Sequence, residues 1–198
     1  MSDNKLEGRV SDLIDGMSGC FSYALKILYL ENNQLPGQLT DNLGQFQNLE
    51  QLNLGSNSLS GPIPSDVGLL SSLETLLLGD NKLNGTRPAS LGKLSKLKEL
   101  DISRNMMEGI VTQSQFENLT NIRYLKAPGN SLTLEVDPSW VSLAQFLYLD
   151  LSYWKLGPQF PNWLRLQKEI NFLDLSSTGI SGAIPPWLWN MSTAFDYL

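Results

Sequence analysis

This 198-residue chain contains no histidine and a single cysteine, Cys20. Histidine-based acid–base chemistry, Cys–His catalysis and the usual zinc ligand sets are therefore excluded. A disulfide within the chain is excluded as well. No uninterrupted apolar run approaches the roughly 20 residues a membrane helix needs, and the first residues, Met1-Ser-Asp-Asn-Lys-Leu6, are polar. The 14 lysines and arginines are scattered within a net charge of −6, so no basic cluster points to nucleic acid or an anionic membrane surface. What remains is a chain with 41% hydrophobic residues, enough to bury a substantial core.

The hydrophobic residues are not distributed at random. Aligned with itself, the sequence repeats every 24 residues, with leucine-like residues at positions one, four and six and asparagine at position nine. Repeats begin at Leu25, Leu49, Leu73, Leu97, Ile122, Phe146 and Ile170, and the one starting at Leu97 is a residue longer. The pattern Leu-x-x-Leu-x-Leu-x-x-Asn at this period is the signature of a leucine-rich-repeat solenoid. Leu-x-Leu alternates inward and outward as a strand does, so each coil supplies one strand to a parallel sheet. The expected fold is α/β: a right-handed horseshoe with a concave parallel sheet and short 3-10 or helical turns on its convex side, as in Leu91-Gly-Lys-Leu94.

Asn33, Asn57, Asn81, Asn105 and Asn130 should form a structural ladder, each amide satisfying backbone groups where the chain leaves the strand. Trp154 and Thr178 occupy the same position in the last two repeats, where aromatic packing with Trp163, Trp187 and Trp189 should partly replace the amides. In Leu59-Ser-Gly-Pro-Ile63-Pro64 and Ile180-Ser-Gly-Ala-Ile184-Pro185, glycine permits a bend and the isoleucine should point back to the core. The chain reads as one domain over residues 1–198. Residues 1–24 form an incomplete first repeat with an insertion, 25–194 hold seven repeats, and 195–198 begin another. Asn4, Leu6, Gly8 and Val10 fit positions nine to fifteen of an earlier repeat. With no evident end caps, the chain reads as a fragment of a longer protein or a truncated gene model, with aggregation-prone sheet edges. Cys20 reads as a small buried thiol.

The Leu-x-Gly-x-Ile-Pro extension resembles the plant-specific class of extracellular leucine-rich repeats found in receptor kinases, receptor-like proteins and polygalacturonase inhibitors. Asn130-Ser-Leu-Thr-Leu-Glu-Val with Trp140-Val, and Leu156-Gly-Pro-Gln-Phe-Pro-Asn-Trp-Leu164 through Ile184-Pro-Pro-Trp-Leu-Trp189, narrow the resemblance. They are similar to the plant receptor-like proteins that include tomato receptors for fungal xylanase and apple scab resistance proteins. Val141-Ser-Leu-Ala144 departs from the Val-Pro-Pro-Phe common in that group. The resemblance implies an ectodomain at the outer side of the plasma membrane, without enzymatic activity or cofactor. It also implies a protein, peptide or glycan ligand and a partner receptor kinase for signalling in defence. The segment itself is expected to touch neither membrane nor nucleic acid. A secreted inhibitor of a microbial cell-wall hydrolase and a receptor-kinase ectodomain are the alternatives.

On the concave face, Tyr29, Glu31, Tyr124, Lys126, Tyr148 and Phe172 are the candidate ligand-binding residues, because exposed aromatics are not explained by solvation. Asp101, Asp150 and Asp174 form a row that repetition alone explains, and they read as a solvated carboxylate row without catalytic or metal-binding roles. Asn84-Gly-Thr86, Asn118-Leu-Thr120 and Asn190-Met-Ser192 are N-glycosylation acceptors, giving Asn84, Asn118 and Asn190 as candidate attachment sites.

Overall fold

The structure, a computed structural model, describes residues 1–17, 19, 21–86, 89–191 and 195–198. Each repeat contributes a three-residue strand to a seven-stranded parallel sheet. In order these are β1 (Ile27–Tyr29), β3 (Gln51–Asn53), β5 (Thr75–Leu77), β7 (Glu99–Asp101), β9 (Tyr124–Lys126), β11 (Tyr148–Asp150) and β12 (Phe172–Asp174). The pairing is in register by repeat position, Leu28 beside Leu52, Leu52 beside Leu76, and so on to Leu149 beside Leu173. Leu52, Leu76, Leu100 and Leu149 are fully buried, as are the position-six residues Leu54, Leu78 and Ile102. The core is thus a continuous column of leucines stacked coil on coil, as the 24-residue period predicts.

A second sheet was not foreseen. The segments after the asparagines, Leu-x-Gly in the first three and Met107-Glu-Gly109 and Leu132-Thr-Leu134 in the last two, pair as five parallel strands: β2 (Pro36–Gln38), β4 (Ser58–Gly61), β6 (Lys82–Gly85), β8 (Met106–Val111) and β10 (Ser131–Leu134). The glycines do bend the chain, with φ of +76° at both Gly61 and Gly85, a region closed to most side chains. But the residues before them also satisfy their backbone groups laterally, so repetition makes a bend into a ladder. Opposite the long sheet lie 3-10 turns, among them Asp41–Gln45, Ser65–Leu69, Ala89–Lys93 and Asn162–Leu166. Ile63 points inward as expected, whereas Ile184 is 52% exposed and lines a depression with Phe160, Leu188 and Trp189.

The asparagine ladder is present and bidirectional. The Asn81 amide nitrogen donates to Leu78 O (3.1 Å) in its own coil and to Leu54 O (3.0 Å) in the preceding one. Its oxygen accepts the Leu59 N–H at 2.9 Å. Asn57, Asn105 and Asn130 repeat this pattern. At the N-terminal end, Leu6 N–H donates to Asn33 Oδ1 at 3.0 Å, and Gly8 has φ +101°. An eight-residue helix, α1 (Val10–Met17), then buries Val10 and Ile14 against β2 and the first 3-10 turn. The sequence reading expected no such cover for the first coil. Cys20 lies outside the described residues.

Candidate functional site

Parallel strands in register place side chains of the same repeat position roughly 4.8 Å apart along the sheet. On the outward face, position three runs Ile27, Gln51, Thr75, Glu99, Tyr124, Tyr148 and Phe172. The row changes from aliphatic and polar to aromatic along the molecule. Tyr148 and Phe172 stack with ring centroids 3.9 Å apart and planes 5° from parallel. Phe172 in turn stacks on Tyr197 at 4.5 Å and 9°, across an isolated bridge that continues the sheet. Tyr197 was missed as a candidate. Its signal was available, because counting from Phe195 puts it at position three.

Lys126 sits beside this ribbon. Its Nζ is 2.7 Å from Glu99 Oε1 and 5.8 Å from the centre of the Tyr148 ring. Burial opposes the lysine charge, but the hydrogen bond and charge of Glu99, with Asp101 and Tyr148, more than offset it and hold the pKa above the ordinary lysine value. Burial, helped by Asp150, also pushes the Tyr148 phenol up while Lys126 opposes it. Tyr148 is therefore a protonated hydrogen-bond donor at neutral pH. Glu99, absent from the sequence-based candidates, neutralises the cation they relied on.

The aspartate row is not simply solvated. Asp101 Oδ1 accepts the Ser103 N–H (2.9 Å) and hydroxyl (2.6 Å), and Asp150 accepts the same pair from Ser152 at 3.0 and 2.8 Å. Asp174 accepts the Ser176 N–H at 2.8 Å. Asp-x-Ser is a local device that closes the strand end, which accounts for its recurrence without a ligand. Asp150 is only 8% exposed. Burial raises its carboxyl above the ordinary value, against the Ser152 hydrogen bonds and with help from Asp174 and Asp101.

Tyr124, Lys126, Tyr148 and Phe172 are thus brought together on adjacent strands. Tyr29 and Glu31 are not with them, since β1 and β9 are four strand spacings apart, roughly 19 Å. The Tyr29 hydroxyl donates to Gln51 Oε1. Glu31 is half-buried, and one carboxylate oxygen has no partner among the described residues. Asn84 on β6 and Asn118 after the turn Gln113–Gln115 are exposed together with Thr86 and Thr120. Asn190 is exposed at the end of Pro186–Asn190, while Ser192 of its acceptor motif lies outside the described residues.

A leucine-rich-repeat profile matches residues 71–132, and a second profile of the same description matches 24–46, 48–70 and 169–191. The chain is 34% identical over 84 residues to receptor-like protein EIX2 of Solanum lycopersicum, covering 42% of this chain. It is 39% identical over 81 residues to EIX1 of the same plant, covering 41% of this chain. It spans only 8% of the length of either relative. A TDR receptor structure superposes with TM-score 0.88 at 28% identity, over 99% of this chain and 33% of that one. The ectodomain of the Arabidopsis receptor kinase HAESA, solved with an IDA peptide hormone, superposes with TM-score 0.81 at 27% identity over 99% of this chain and 33% of its own. The repeat period, the stacked parallel sheet, the matched profiles and these superpositions lead to one assignment: the chain belongs to the leucine-rich-repeat family, as an ectodomain-type solenoid similar to those of plant receptor-like proteins.

Proposed function

We propose that this chain is a noncatalytic recognition segment of a plant cell-surface receptor, binding a protein or peptide ligand on the seven-stranded face. The observation that carries the reading is the aromatic ribbon Tyr124–Tyr148–Phe172, which stands on a sheet face that no element covers among the described residues. Rigid aromatic groups on an open surface are efficient binding anchors, since they bring large contact area at low entropic cost. The Tyr148 phenol and the Lys126–Glu99 pair supply directional polar contacts beside it. The similarity to receptor-like proteins and to a peptide-hormone receptor ectodomain supports the same class of ligand. The reading extends to placement outside the plasma membrane and to signalling through a partner receptor kinase in defence, as the sequence resemblance implies. Asn84, Asn118 and Asn190 would carry glycans away from this face.

The test is a selection of peptides from a random display library on the immobilised 198-residue chain, followed by titration of the selected peptides against the parent and the Tyr124→Ala/Tyr148→Ala variant. The expected result is saturable binding that weakens by about tenfold or more in the variant, the loss of a hot-spot contact. Failure to select any peptide, or equal binding of every selected peptide by parent and variant, would overturn the reading.

A further inference from the structure

One coil breaks the regular pattern on the opposite flank. Between β10 and β11 the chain forms no 3-10 turn, and residues 135–147 run as an irregular loop beside the turn Asn162–Leu166. A cleft of about 340 Å³ opens there, within the size range of small ligand sites. Its apolar wall is made by Leu134, Val136, Trp140, Leu156, Phe160 and Trp163. The wall is anchored to the core through rings: Trp140 meets Trp163 edge-on at 5.6 Å, and Trp163 meets Phe146 at 6.2 Å. Trp140 also packs on Phe116 at 5.8 Å. Such a wall holds its shape while leaving Trp140 partly exposed.

Two further observations give the cleft a chemical preference. Glu135 and Asp137 stand exposed among its lining residues, which include no lysine or arginine. The Ser139 hydroxyl and N–H lower the Asp137 pKa, so its charge persists at neutral pH. Trp163 is 5% exposed, and its indole N–H has no acceptor among the described residues. Buried donors are normally paired, and an exception calls for an explanation. The nitrogen is shielded by the wall, so a ligand oxygen would reach it only as the wall gives slightly.

We infer that this cleft docks an extended segment of a protein partner, seating a prolyl or aliphatic side chain against Trp140 with a lysine or arginine beside it on Glu135 and Asp137. Aromatic grooves recognise proline-rich extended segments because such chains lose little entropy on binding. Two carboxylates with no lysine or arginine among the described lining residues select a cation over a neutral sugar. The largely hydrocarbon wall selects an apolar side chain over a hydroxylated ring. The site is separate from the seven-stranded face, so a receptor would hold a ligand on one surface and a second protein on the other.

The probe is the pentapeptide Pro-Leu-Pro-Arg-Lys, titrated into the ¹⁵N-labelled 198-residue chain while the indole N–H resonances of Trp140 and Trp163 are followed. The controls are Pro-Leu-Pro-Glu-Glu and a neutral chitin trisaccharide. The expected result is a saturable shift of both resonances with the cationic peptide alone. Its affinity should fall about tenfold, or 1.4 kcal/mol, in Glu135→Gln/Asp137→Asn and stay unchanged in Tyr124→Ala/Tyr148→Ala. The Glu135→Gln/Asp137→Asn variant changes exposed side chains only and retains the wall, so it tests the charge contact without disturbing the fold. No saturable shift, an equal response to the acidic peptide, a response to the trisaccharide instead, or undiminished binding by the double variant would overturn the inference.

Discussion

The coils bearing Asn33 to Asn130 and the two bearing Trp154 and Thr178 are built on the same leucine spacing, yet adjacent coils are joined differently in the two regions. In the first region, each amide donates to its own coil and the preceding one and accepts an N–H in return. In the second, the Trp154 indole N–H keeps one of these links, donating to Ala127 O at 2.9 Å across the coil boundary. It offers no acceptor. The Thr178 hydroxyl donates only within its own coil, to Leu175 O at 2.7 Å. Volume partly substitutes for hydrogen bonding, since Trp154 is 1% exposed and among the largest fully buried side chains. A solenoid can therefore lose its polar ladder without losing register, provided a large side chain fills the space and reaches the carbonyl that the amide would have served.

That comparison is broken most sharply at Trp154. Trp154→Ala removes both the filling volume and the link to Ala127, and truncation of a buried tryptophan costs about 3–5 kcal/mol. Because each coil contacts chiefly its neighbours, the loss should be local. Hydrogen exchange is expected to accelerate in β11, β12 and the segments between them, while the amides of β3 and β5 keep their protection. Uniform loss of protection across all strands would show that the chain unfolds as one unit and that the two regions are not energetically distinct.

A smaller effect separates two amides in different settings. Gln167 is fully buried and bridges coils where the 3-10 turn of the regular repeats is missing, between β10 and β11. Its Nε2 donates to Ala144 O and its Oε1 accepts the Phe146 N–H, both at 3.0 Å. Asn81→Leu and Gln167→Leu each orphan buried backbone groups, at about 1–3 kcal/mol per group. Asn81 makes more links, so its variant should have the lower urea midpoint. The reverse order would mean that the aromatic region depends on its single amide clamp more than the regular region depends on any one rung.

How far the sequence foretold these features follows from how each arises. The long sheet, the leucine column and the asparagine rungs depend on residue identity at a fixed period, so counting finds them. Gln167 serves one irregular loop and recurs nowhere, so no period marks it. The second sheet escaped because its strands contain Pro36, Gly37 and Gly61, residues that weaken a strand in isolation. Their pairing comes from coils stacked beside them. At the candidate face, Tyr124, Tyr148 and Phe172 were legible because aromatics at an outward position stand out. Glu99 was not, because only the structure shows that it faces Lys126 across a strand boundary.

The smallest effect concerns the one aspartate of the carboxylate row that is buried. Burial raises the Asp150 carboxyl in the folded chain above its ordinary value of 3.8, although Ser152 donates two hydrogen bonds to it. When the folded-state pKa exceeds the unfolded one, the native state binds the extra proton between the two values, and stability falls as pH rises through that window. Asp150 therefore contributes a loss beginning just above 3.8 and complete once pH exceeds the raised value. Asp150→Asn keeps an oxygen to accept from Ser152 but cannot titrate. Urea unfolding from pH 4 to pH 7 should show a shallower stability decline in the variant than in the parent. Parallel pH profiles would mean that the carboxyl keeps its ordinary pKa and that the burial of Asp150 beside the Trp154 coil leaves the aspartate row electrostatically unchanged.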